Sequence, residues 1–169
     1  MPQISRRANL LRMAFVVTGF GLACSSTPAG PSSGGGGNNP GSTAIVLGVG
    51  DIGMCNRPAV AQTARLVAGL EGRLLLAGDL AYCQGTAADF RDCFDPEWGR
   101  FRDRWYATPG NHEYESPGAG PYFDYFGEAA GSDRTGYYAI VAGDWLVLML
   151  NSNIPVGRGS TQWEFARQQ

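Results

Sequence analysis

The hexapeptide GVGDIG, residues 48–53, decides how this chain is read. It fits G-x-G-x-x-G, the turn that cradles a dinucleotide pyrophosphate at a helix N-terminus, yet it carries an aspartate near its centre. The apolar run AIVLGV at residues 44–49 leads into it and predicts a strand buried on both faces. Downstream, Asn56 is an expected N-cap and Pro58 an expected first-turn residue. Val60, Ala64, Val67 and Ala68 then recur at helical spacing. A second buried-type strand, RLLLA at residues 73–77, completes a βαβ unit whose strands should be parallel. For a dinucleotide turn the helix starts late, and Asp51 would set a carboxylate against the pyrophosphate. Asp51 is therefore the feature that needs an explanation.

The same grammar recurs twice. Residues 73–77 run into Gly78-Asp79, and a third short strand, WYAT at 105–108, runs through Pro109 into Gly110-Asn111. Ligands of an α/β sheet sit in the crevice outside the carboxyl ends of its strands. Three such ends would gather Asp51, Asp79 and Asn111 in one small volume, where two carboxylates and an amide repel and desolvate one another unless a cation is bound. The residues thus point to a metal site. Tyr82, on the loop that carries Asp79, offers a buried phenolate, a hard anionic ligand suited to ferric iron. His112 is the only histidine in the chain. Beside Asn111 it is a candidate general acid, with Glu113 either orienting its imidazole or solvated at the surface.

The rest of the chain bounds the setting. Residues 1–23 carry Arg6, Arg7 and Arg12, then a short apolar run ending in small residues, the pattern of an export signal too short to span a bilayer. Cys24 resembles the lipidated cysteine of a bacterial lipoprotein box, although Gly21 stands where such boxes usually have leucine. A weaker resemblance to a twin-arginine signal lies around Arg6-Arg7, with Asn9 out of pattern. The expectation is an exported protein, anchored to a bacterial envelope membrane through a lipid on Cys24, or else periplasmic or secreted. Residues 24–43 are a Gly/Ser/Pro tether, which leaves 44–169 as one domain. An exported chain meets little nicotinamide cofactor, a further point against the dinucleotide reading. The net charge is −2, and the densest basic stretch, Arg100, Arg102 and Arg104, alternates with Phe101 and Trp105 as a solvated helix face does; no nucleic-acid patch is expected. Export allows a disulfide among Cys55, Cys83 and Cys93 with one thiol left over, and the pairing is open. Pro96 should break the polar and aromatic stretch 88–104. Gly143-Asp144 should turn a hairpin between residues 137–141 and 145–150, and Ser160 should cap a last helix.

Taken together, Gly50-Asp51, Gly78-Asp79-Leu-Ala-Tyr82 and Gly110-Asn111-His112-Glu113 resemble the calcineurin-like metallophosphoesterase superfamily. Tyr82, with Gly53 where other branches have histidine, resembles its purple-acid-phosphatase-like branch. The resemblance extends over residues 44–169, through Tyr122-Phe-Asp-Tyr-Phe-Gly127, Leu150-Asn-Ser-Asn153 and Gln162-Trp163. It implies an α/β fold, a metallophosphoesterase-type β-sandwich flanked by helices. It also implies a phosphate-ester substrate and two metal ions, iron paired with iron, zinc or manganese. Asp79 would bridge them, Asp51 and Tyr82 would bind the first and Asn111 the second. The implied chemistry is a dinuclear centre activating a hydroxide for in-line attack, with His112 protonating the leaving oxygen.

The family's two later motifs, Val-x-x-His and Gly-His-x-His, supply three more histidine ligands that this chain does not contain. The expectation is therefore a domain incomplete at its C-terminus, with apolar surface exposed over residues 145–150 and weak metal binding by oxygen donors alone. The competing functional expectation is a non-catalytic surface lipoprotein that keeps half of a hydrolase fold as a binding or vestigial module.

Overall fold

A computed structural model describes residues 44–169. The export signal, Cys24 and the tether lie outside the described residues. Strand β1 is Val46–Val49, helix α1 Pro58–Ala68 and β2 Arg73–Ala77. A helical stretch follows, made of α2 Ala87–Asp89, a π turn Phe90–Phe94, α3 Asp95–Trp98 and a 3-10 turn Gly99–Phe101. Beyond it come β3 Trp105–Thr108, α4 Gly120–Phe126, the strands β4 Tyr138–Ala142 and β5 Trp145–Met149, and α5 Thr161–Gln168.

β1, β2 and β3 lie side by side in that order, all parallel, and Val49 and Leu76 pair at the end of β1. Their carboxyl ends therefore face the same way, and the loops carrying Asp51, Asp79 and Asn111 leave from one edge. β4 and β5 form an antiparallel hairpin turned by Gly143-Asp144, and Gly143 has φ 59°. The run RLLLA shows why the sheet is a middle layer. Leu74 and Leu76 enter the core under α1 and the aromatic cluster, while Leu75 between them packs with Val147 and Met149 of the hairpin. Period-two alternation thus sends apolar side chains into both neighbouring layers. The result is an α/β sandwich of a parallel and an antiparallel sheet flanked by helices.

Three expectations need correction. Asn56 does not cap α1: it sits in the left-handed region at φ 57°, and Arg57 takes the cap position with no side-chain bond. Pro96 does not break its stretch. The Asp95 N–H reaches back five residues to the Phe90 carbonyl, and a fresh helical turn starts there with Pro96 in its first turn, where a missing N–H leaves no bond unmade. The apolar exposure expected over residues 145–150 is confined to the start of β5: Trp145 is exposed, whereas Val147, Leu148 and Met149 are buried. The open cysteine pairing resolves as Cys55–Cys93, with Cys83 an exposed free thiol. Among the described residues no helix is long and apolar enough to cross a membrane.

Candidate metal centre

The strand pairing continues past the strand ends and docks the first two loops together. The Asp51 N–H donates to the Gly78 carbonyl (3.2 Å), the Ile52 N–H to the Asp79 carbonyl (3.2 Å) and the Tyr82 N–H to the Gly53 carbonyl (2.9 Å). Contact is so close that a Cβ on Gly53 would overlap the Leu80 carbonyl. The second and third loops touch as tightly: Gly78, at φ 82°, has room for no side chain against the Gly110 backbone, only 2.8 Å from where its Cβ would be. These glycines serve the approach of backbone to backbone.

Asp51 and Asp79 both adopt left-handed backbone conformations, φ 56° and 52°. For a residue with a Cβ this is uncommon and strained, and such positions gather at functional sites. The Tyr82 hydroxyl donates to Asp51 Oδ1 at 2.5 Å. Burial, then that hydrogen bond, then the negative charges of Asp79, Asp51 and Glu113 push its pKa well above the ordinary phenol value. The expected buried phenolate is, in this structure, a half-buried phenol that keeps its proton. Asp79 Oδ1 accepts from the His112 N–H (3.0 Å), and a Cβ on Gly110 would collide with the same oxygen. The backbone on both sides of Asn111 thus presses on the Asp79 carboxylate, while Asn111 itself is exposed.

The His112 ring lies over Tyr82, centroids 4.4 Å apart. Its Nδ1 is 2.6 Å from the Cys83 carbonyl and 3.1 Å from Glu115 Oε1. A carbonyl only accepts, so Nδ1 carries a hydrogen and Nε2 is left to face a ligand.

Glu113 departs from both expectations: it neither orients the imidazole nor lies at the surface. Its side chain is fully buried and takes N–H bonds from Asp79, Leu80, Ala81 and Gly110. Burial pushes its carboxyl above the ordinary range, opposed by the N–H groups of Gly110, Leu80 and Ala81. Four donors with no acceptor among them suit the ionised form. Sequence reasoning also missed Trp98, whose indole N–H holds the Ile52 carbonyl at 3.1 Å, and the buried pair Asn151–Gln162, which ties α5 to the segment after β5. Asn151 further donates to the Tyr114 hydroxyl, next door to Glu113.

Among the described residues no three His, Cys, Asp or Glu side chains group as a metal cage. The donors assembled here are of another kind: two carboxylates and a phenol, with an amide on the adjoining loop. Tyr82 now fills with a proton the contact to Asp51 that a cation would otherwise make. Oxygen donors of this type fit a hard cation.

A family model described as calcineurin-like phosphoesterase matches residues 45–164. No curated protein matches the chain. With most of its length matched, the chain belongs to the calcineurin-like phosphoesterase family.

Proposed function

We propose that this calcineurin-like phosphoesterase hydrolyses phosphate esters at the crevice between the Asp51, Asp79 and Asn111 loops, with the ligand set of the purple-acid-phosphatase-like branch. One observation carries the reading: two aspartates at neighbouring parallel-strand ends are both held left-handed, and Tyr82 closes directly on one of them. Asp51, Asp79, Tyr82 and Asn111 would hold two metal ions, iron with iron, zinc or manganese. When bound, such ions neutralise phosphate oxygens and acidify water.

The chain's own groups supply the rest. The Tyr82 oxygen gives up the proton it now shares with Asp51. Cys83 and Glu115 hold the Nδ1 hydrogen of His112 and favour its protonated form, so that Nε2 can pass a proton to the departing ester oxygen. The Cys55–Cys93 disulfide supports export to an oxidising compartment, with Cys24 as the lipid anchor.

The test is turnover of an aryl phosphate by the chain supplied with iron and zinc, with metal counted per chain. Asp79→Asn is expected to abolish both turnover and metal retention. Activity that survives Asp79→Asn refutes the site assignment. Absence of both in the unaltered chain favours the non-catalytic binding module instead.

A further inference from the structure

A carboxylate taken wholly out of water costs several kcal/mol unless its partners are excellent. Glu113 has no cation beside it; its partners are main-chain N–H groups on two different loops. Oε1 accepts from Leu80 (2.7 Å) and Ala81 (3.1 Å). Oε2 accepts from Asp79 (2.9 Å) and from Gly110 (2.7 Å). Three consecutive N–H groups from residues 79–81 therefore converge on one anion, a concavity of the kind that binds phosphate elsewhere, here filled by the protein itself. That arrangement requires the left-handed turn at Asp79. Because a single oxygen spans both loops, it also fixes the gap between Asp79 and Gly110, and so the placement of Asn111.

We infer that Glu113 is a positioning residue: without touching any ligand, its carboxylate holds the Asp79 and Asn111 loops in the register that the proposed metal centre needs. The inference rests on that centre for its consequence and on the four N–H bonds for its substance.

Glu113→Gln in the full chain tests it. The carboxamide has the same shape but one acceptor atom, so its NH2 must face one pair of N–H donors. The fold by circular dichroism should be kept, while amide hydrogen exchange quickens at Asp79, Leu80, Ala81 and Gly110. Zinc titrated by calorimetry should bind about 10- to 100-fold more weakly, the range for loss of a group that orients metal ligands. Turnover of an aryl phosphate should fall in kcat with little change in KM. Glu113→Asp keeps the charge but is one methylene shorter, so it should protect the amides of one loop and not of both; it carries the comparison if Glu113→Gln does not fold. Faster exchange with unaltered zinc affinity would make Glu113 merely structural and overturn the inference, as would unaltered exchange at the four amides. If the unaltered chain binds no zinc, the metal reading falls separately, and the exchange arm still decides whether Glu113 sets the loops.

Discussion

The loops after β1 and β2 present the same residue in the same unusual conformation, yet they are held by opposite means. The Asp79 loop is gripped from beneath by a buried charge, Glu113. The Asp51 loop is braced from the side, by the Trp98 indole on the Ile52 carbonyl and by the Cys55–Cys93 disulfide to the π turn. Both loops belong to one candidate site, but the order of one depends on an anion and that of the other on packing and oxidation. Treatments that act on one brace should leave the other loop in place.

The strongest lever is the disulfide. It links residues 38 apart, and the chain-entropy model gives it about 4 kcal/mol. Reducing it, or replacing Cys55→Ser with Cys93→Ser, should lower the urea unfolding free energy by about that amount and speed amide exchange over residues 51–56. Equal acceleration at Asp79, Leu80 and Ala81 would break the comparison. Trp98→Phe comes next: it leaves the buried Ile52 carbonyl without its donor, worth about 1–3 kcal/mol, again with exchange confined to the first loop. Tyr82→Phe removes the one hydrogen bond between side chains of the two loops. Its effect on stability should be about 1 kcal/mol or less, but it should erase any visible phenolate-to-iron absorption in iron-loaded protein. Retained colour would exclude Tyr82 as a ligand.

The smallest effect is one of pH. Asp95, in the helical stretch that carries Trp98 and Cys93, has its carboxyl held below the ordinary range by the Tyr125 hydroxyl and then by Arg102. A depressed carboxyl stabilises the fold above its unfolded pKa, about 3.9, and that contribution is lost as pH falls through the folded value. The group is 43% exposed, so solvent screening limits the loss to under about 1 kcal/mol. Unfolding followed from pH 5 downward should show it in the unaltered chain and not in Asp95→Asn.

What the sequence disclosed and what it hid follow the same division. Strands β2 and β3 match their expected residues throughout, because short apolar runs ending in Gly or Pro-Gly carry their own boundaries. Asp51 and Tyr82 were legible as partners because the strand-end pattern repeats. Glu113 was not, since a buried carboxylate looks like any acidic surface residue until donors some thirty positions upstream are folded around it. The cysteine pairing was hidden for a like reason: three candidates and no local geometry to choose among them. Asn56 and Pro96 were misread as local punctuation, a cap and a break, where tertiary packing gave each a different backbone state.

The π turn at Phe90–Phe94 has a consequence for which lengths of chain this fold tolerates. Each residue of an α-helix advances the side-chain direction by about 100°, so the wider turn works as a phase adjuster between Thr86, which starts the stretch, and Trp98, which must meet the Ile52 carbonyl. Deleting one residue there would leave a regular helix of ordinary propensity, yet would swing the indole about a quarter-turn off its target. The count of residues in this segment is therefore fixed by angle rather than by distance, and a chain shorter by one would be well formed locally and wrongly aimed.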